Sequence, residues 1–220
     1  MPAAALFDVD GTLLDTSYLH TLAWSEALAQ FGLTPPMSRV HGAIGMAGTE
    51  LLEHVLGPGR DRDLDSDISA AHQALYARFW PGLRAFDRAG ELLREVAARG
   101  RRVVLASSAS GRDLEAMRRV LDAEDVLWAA TNADDVETSK PAPDLVHAAL
   151  ERSEAGPGEA LFVGDTRWDV QAAAAAGVPC IGVTCGGIGE CDLRAAGALE
   201  VHADPAALLA ALDDSALGRA

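Results

Sequence analysis

The apolar run Ala4-Ala5-Leu6-Phe7 stops abruptly at Asp8-Val9-Asp10-Gly11-Thr12. A run this short reads as a buried strand, and its acids fall at the C-terminal end. In open α/β sheets that edge is where ligands bind. Side chains at i and i+2 of extended chain leave on the same side, so Asp8 and Asp10 can face one ligand. Two clustered carboxylates repel unless a cation or a shared proton holds them. Gly11 allows a close approach or an unusual turn. The plainer alternative is a strand followed by an acidic Asp-Gly turn, and the rest of the chain decides between them.

Strand-like runs recur at 3–7, 102–106, 126–130, 160–163, 180–183 and 198–201. Helical patterns at 84–99, 111–121, 143–152, 169–176 and 205–212 separate most of them. This alternation predicts βαβ units and an α/β fold with a doubly wound, mostly parallel, Rossmann-like sheet. Residues 17–81 break the rhythm. They read as helices only, at 17–31, 48–56 and 65–79, with Pro35-Pro36 and Gly57-Pro58-Gly59 between them. The expected organisation is a core of residues 1–16 and 82–220, with an all-helical lobe of residues 17–81 inserted after the first strand. Thr16 and Pro81-Gly82 would be its hinges.

A chain of 220 residues that is 49% apolar can bury a substantial core. No window approaches the ~18 uninterrupted apolar residues of a membrane span. The N-terminus lacks a basic region and reaches Asp8 at once, so a cytoplasmic location is the default. A net charge of −15 argues against nucleic acid as a partner, since that needs a basic face. Cys180, Cys185 and Cys191 match no zinc spacing and read as small apolar or surface residues.

Among 18 basic residues Lys140 is the sole lysine. A G+C-rich genome explains scarce lysine but not this exception. A compact ammonium cannot be replaced by a planar guanidinium in a tight site, which makes Lys140 a functional candidate.

The other polar clusters also follow strand-like runs. Ser107 and Ser108 end one of them, as anion donors or as a helix N-cap. Glu137-Thr138-Ser139-Lys140-Pro141-Ala142-Pro143-Asp144 sets the lysine before a proline-opened helix, where N–H groups also favour an anion. Gly164-Asp165-Thr166-Arg167-Trp168-Asp169 adds two acids. Metal ligation is the stronger reading for Asp165, and capping or support of the metal site for Asp169.

Four stretches together, Asp8 through Asp15, Ser107, Lys140-Pro141-Ala142-Pro143-Asp144 and Gly164-Asp165 through Asp169, resemble the ordered motifs of the haloacid dehalogenase superfamily. The resemblance runs from Asp8 to about Thr184, and the helical insertion resembles the cap of its phosphatase and β-phosphoglucomutase branch. It implies a phosphatase acting on a small phosphorylated metabolite through an aspartyl-phosphate. Asp8 would be the nucleophile, and Asp10 the general acid and then base. Mg²⁺ would be held by Asp8, Asp165 and the backbone carbonyl of Asp10, with Asp169 supporting that shell. Ser107, Ser108 and Lys140 would hold the transferring phosphoryl oxygens. Thr12 would orient Asp10 or the phosphate, and Asp15 would brace the loop.

The presence of Asp10 disfavours the dehalogenases of the superfamily, and a cap without lysine disfavours its phosphonate-cleaving members. The mutase branch matches at Asp8, Asp10, Asp15, Thr16 and His20. It departs at Gly164, where the mutase usually has Glu, and at Gly45, in the region where the mutase cap carries an arginine. A catalytically silent phosphate-binding or regulatory module is the alternative of another class. His20, Trp24, Arg39, His41 and Met46 are the cap residues expected to face the core site, with packing or solvation as their alternatives. His20 is counted with the substrate-binding residues on its mutase-like match. Nothing in the sequence suggests an obligate partner, so a monomer is expected. The substrate stays open.

Overall fold

The computed structural model describes residues 3–219. Six strands, β1 (Ala4–Phe7), β2 (Arg102–Ala106), β3 (Leu127–Thr131), β4 (Ala160–Gly164), β5 (Cys180–Val183) and β6 (Glu200–His202), form one sheet in the order β3-β2-β1-β4-β5-β6. Every pairing is parallel. From β1 the chain steps outward to β3 and then returns to β4 on the other side of β1. The order therefore reverses between β1 and β4, which is where an open sheet forms its ligand crevice. Phe7 lies opposite both Leu105 and Val163, so Asp8 emerges level with the ends of β2 and β4.

Alternation along the strands sends side chains to two faces. Ala5, Phe7, Val103, Leu105, Leu161 and Val163 pack with α5 (Ala89–Ala98), α6 (Gly111–Leu121) and α10 (Pro205–Ala210). Ala4, Leu6, Val104, Ala106 and Phe162 pack with α7 (Asp144–Ser153), α8 (Arg167–Ala175) and α9 (Glu190–Ala196). The strands are buried on both faces and so read as near-continuous apolar runs rather than alternating ones.

Between β1 and α5 the chain is helical: α1 (Ser17–Gln30), α2 (Met37–His41), α3 (Gly48–Leu56), α4 (Asp65–Tyr76) and a tight 3₁₀ stretch at Ala77–Gly82. These helices gather a separate apolar cluster that includes Trp24, Leu28, Val40, Leu52, Val55 and Ile68.

Several elements differ from the sequence expectation. The helix expected from Arg84 starts at Ala89. Residues before it are held extended, because Phe86 N–H donates to Leu13 O (2.9 Å) and Asp15 N–H to Arg84 O (3.0 Å). α8 starts two residues before Asp169, because Thr166 and Asp169 form a reciprocal capping box. α2 and α9 were not anticipated; at five and seven residues they are too short to show a period. Among the described residues no helix is long and apolar enough to cross a membrane.

Candidate active site

Asp8 leaves the end of β1 into a tight turn. Thr12, Leu13 and Leu14 N–H groups donate to Val9 O, and Gly11 N–H donates to Leu14 O. The turn swings Asp10 away from Asp8. Asp10 Oδ1 accepts from Thr16 Oγ at 2.7 Å and lies 3.0 Å from His20 Nε2, while Ser107 Oγ approaches Oδ2 at 3.4 Å. A carboxylate only accepts, so His20 Nε2 donates to it. His20 Nδ1 then meets His72 Nε2 at 3.2 Å. Tyr76 stacks on His20 with centroids 3.7 Å apart, and Trp24 stacks on His72 at 4.0 Å. The chain from Asp10 through His20 to His72 is thus clamped by aromatic rings of α1 and α4.

Beneath Asp8 lies Lys140, fully buried. Its ammonium is 2.5 Å from Asp8 Oδ1, 2.8 Å from Asp169 Oδ1 and 3.0 Å from Ala106 O. The remaining oxygen of Asp169 accepts from Thr166 N–H and Oγ. Asp169 is therefore both helix cap and lysine partner. Thr12 Oγ sits 3.2 Å from Asp8 Oδ2 and 3.0 Å from Asp165 Oδ1. Of the two roles the resemblance implies for Thr12, orienting Asp10 or the phosphate, the first falls to Thr16, and Thr12 joins Asp8 and Asp165.

Burial disfavours charge, and it dominates here. It raises the Asp8 carboxyl; Lys140 pulls back, Asp169 and Asp10 add repulsion, and the result is about 7. Asp165 is pushed well above its ordinary value by burial and then by Asp169 and Asp8. Burial would lower Lys140, but Asp169 and Asp8 outweigh it and hold the ammonium charged. Burial would likewise raise Asp10, yet His20 and Thr16 bring it below the usual carboxylate value. His72 is held well below its ordinary value by burial and by His20, so it is neutral. Environment thus separates two acids: Asp8, buried, inclines to the protonated form, and Asp10, partly exposed and held by His20 and Thr16, to the ionised one.

Oxygens of Asp8, Asp165 and Asp169 lie within 4.8 Å of one another, the sole such grouping of potential metal ligands among the described residues. Asp165 Oδ2 is buried and has no hydrogen-bond partner. The chain is shaped to leave that oxygen room: a Cβ at Gly11 or at Gly186 would collide with the Asp165 carboxylate. A buried carboxylate oxygen without a partner, beside a second carboxylate, fits a hard divalent cation. The Asp10 carboxylate is outside this grouping.

The remaining sequence candidates fall into place or out of it. Ser107 is buried beside Asp10 and accepts from Ala109 N–H. Ser108 lines the cavity, but its hydroxyl donates to Gly45 O at 2.9 Å and so ties α6's leading loop to the helical lobe. Asp15 is exposed; its backbone N–H, not its side chain, braces the turn. Trp24 and Met46 line the cavity with His20. Arg39 does not, since it reaches Val55 O, and His41 instead stacks on Tyr18 and lies 3.2 Å from Gly186 O. His72, Glu50 and Asp113 also line the cavity and were not singled out from sequence. His72 had one legible signal: it follows Ile68 and precedes Tyr76 at helical spacing, on the buried face of α4.

The cavity of about 490 Å³ lies between the sheet edge and the helical lobe, with Asp8 and Asp10 at its floor. Trp168 Nε1 donates to Gly42 O at 3.1 Å, which adds a further tie across the two parts.

Fold and site together place this protein among the hydrolases, those acting on phosphoric monoesters. It belongs to the haloacid dehalogenase-like hydrolase family, whose model matches residues 2–177. It is 30% identical over 204 residues to a phosphoglycolate phosphatase of Escherichia coli K12, covering 82% of this chain and 80% of that one. A hydrolase structure from Pseudomonas syringae is 31% identical with a TM-score of 0.92, covering 96% and 98% of the two chains. A β-phosphoglucomutase structure from Clostridium difficile shares the fold, with a TM-score of 0.80, 18% identity and 93% and 92% coverage.

Proposed function

We propose that the protein is a Mg²⁺-dependent phosphatase that hydrolyses a small phosphorylated metabolite through a phosphorylated Asp8. The observation that carries this reading is the buried, unpartnered Asp165 oxygen beside Asp8, with Lys140 behind and Asp10 turned toward His20.

Asp8 attacks phosphorus in line with the departing alcohol, which splits one difficult displacement into two. Its nucleophilic form is the carboxylate; Lys140 at 2.5 Å favours that form against the burial that opposes it. Asp10, which His20 and Thr16 hold ionised before substrate binds, takes up one proton with the incoming phosphomonoester, gives it to the leaving oxygen and then takes one from the water that attacks the phosphorylated Asp8. His20 and Thr16 hold it aimed for both steps. Asp8 and Asp165 would hold the ion, and Asp169 keeps Lys140 in place. Bound Mg²⁺ supplies charge neutralisation to the phosphoryl oxygens and screens the acids from one another. Ser107, buried beneath the cavity floor, offers its hydroxyl to Asp10.

Residues 17–81 act as a cap over a core of residues 1–16 and 82–220. Closing it excludes water while the alcohol leaves. The ties from Ser108, Trp168 and His41 to Gly45, Gly42 and Gly186 hold the closed arrangement and must break for release.

The test is phosphate release from an aryl phosphate with and without Mg²⁺, with Asp8→Asn as control. Release that needs both Mg²⁺ and Asp8 is expected. Equal release by Asp8→Asn, or release indifferent to metal, overturns the reading.

A further inference from the structure

The charge of the cavity wall says what kind of alcohol can leave. No lysine or arginine lines the cavity among the described residues. Its wall carries four carboxylates, Glu50, Asp113, Asp134 and Glu137. None of the four is ion-paired to a cation within 4 Å; Asp113 is bound to Ser110 Oγ, Asp134 to Gly111 N–H, and Glu50 is approached only by Ser139 N–H. Asp113 is 4% exposed and burial raises its carboxyl above the ordinary value, so it serves the wall mainly as a hydrogen-bonding group beside the other three carboxylates. The imidazole deepest in the lobe, His72, is neutral. Lys140 lies under Asp8, outside the lining, and is committed to the phosphate end.

A second anionic group on the substrate would enter this space without a counter-charge. It would exchange hydration for the field of unpaired carboxylates, which is how a site rejects a competing ligand. A hydroxyl or an ammonium meets the opposite situation. Glu50 and Asp113 accept hydrogen bonds, and Ser69, Gln73 and Thr49 give and accept them. The Trp24 indole and Met46 supply apolar wall for a carbon skeleton.

We propose that the substrate is the phosphomonoester of a hydroxylated alcohol whose leaving part is uncharged or carries an amino group, with no carboxylate and no second phosphate. This rests on the phosphatase reading above and narrows it. It also sets the chain apart from relatives named for phosphoglycolate, whose leaving group bears a carboxylate.

The experiment compares kcat/KM with Mg²⁺ for matched pairs: glycerol 1-phosphate and ethanolamine phosphate against phosphoglycolate and 3-phosphoglycerate, and a hexose 6-phosphate against the hexose 1,6-bisphosphate. An aryl phosphate reports the basal reaction. Uncharged or amino members should exceed their anionic partners by about tenfold or more. The double variant Asp134→Asn, Glu137→Gln should narrow that gap several-fold by raising the anionic members, with the aryl rate little changed. Anionic members equal to or better than their partners, while the aryl phosphate still turns over, overturn this inference and leave the phosphatase reading standing. A gap that the double variant does not narrow also overturns it. No Mg²⁺-dependent release from any compound overturns both.

Discussion

Asp165 and Asp8 present buried carboxylate oxygens within 4.8 Å of each other, and Oδ2 of Asp165 accepts no hydrogen bond at all. Thr12 Oγ is placed between the two acids, but a hydroxyl has one proton and satisfies one oxygen at a time. The metal-free fold therefore contains a repulsion that a cation converts into attraction.

Replacing Asp165 by Asn removes the repulsion together with the ligand. The metal-free variant should be more stable than the native chain by on the order of 1 kcal/mol, about 2–4 °C in Tm for a protein of this size. Mg²⁺ should raise the Tm of the native protein and leave that of the variant nearly unmoved. Phosphate release should fall about 10³-fold. Thermal unfolding with EDTA and with excess Mg²⁺ checks this; a variant less stable than the native chain in EDTA contradicts the geometry.

The Asp8 carboxyl sets a pH dependence of unusual sign. Its value is about 7 when folded against 3.8 when free, so between those limits the folded state binds more protons than the unfolded one. Stability then falls as pH rises, from fully present below pH 4 to lost above pH 7. Asp165 is shifted the same way and adds to the slope. Asp10, shifted downward, contributes oppositely, and only below its ordinary range. In EDTA, the Tm difference between native and Asp8→Asn proteins should turn against the native chain as pH goes from 5 to 8. With Mg²⁺ bound the slope should flatten. A native advantage that grows with pH in EDTA is the opposing outcome.

Lys140→Arg tests why a lysine stands alone here. The slot is closed by Asp8, Asp169, Ala106 O and the Phe162 ring, whose centroid is 5.3 Å from the ammonium. A planar fork is larger than this space and cannot point one donor at each acid along the same axis. Retained charge should therefore not rescue function. Activity is expected to drop about 10²-fold or more, and unfolding free energy by about 1–3 kcal/mol from overpacking. Near-native kcat in the variant would show that charge alone suffices.

Much of this was legible in the sequence because the sheet translates order into place. Asp8, Ser107 and Asp165 each follow an apolar run, and parallel strands bring the ends of β1, β2 and β4 to one edge. Lys140 stood out by composition. What escaped notice depends on partners distant in the chain and on fine rotation. Thr12 and Thr16 are four residues apart, and only the turn at Val9–Leu14 decides that one serves Asp8 and Asp165 while the other serves Asp10. Arg39 and His41 lie on a five-residue helix whose facing no periodicity could fix. Gly186 is silent in sequence, because its requirement comes from the Asp165 carboxylate packed against it. The charge of the cavity wall was invisible for the same reason: Glu50, Asp113 and Asp134 come from three separate segments.

His72→Phe isolates the outer end of the chain of groups that begins at Asp10. Phenylalanine keeps a ring for Trp24 to stack on and removes the nitrogen facing His20 Nδ1. His20 then loses the contact that fixes its tautomer and tilt, and Asp10 loses a well-aimed partner. Asp10 matters to leaving-group departure in proportion to how poor the leaving group is. An alkoxide needs its proton, whereas an activated aryl oxide leaves without one. kcat/KM reports steps up to that departure. His72→Phe should thus lower kcat/KM for an alkyl phosphate about tenfold and leave that for an activated aryl phosphate nearly unchanged, with the fold intact by circular dichroism. Equal losses on both substrates would assign His72 to packing of the cap alone.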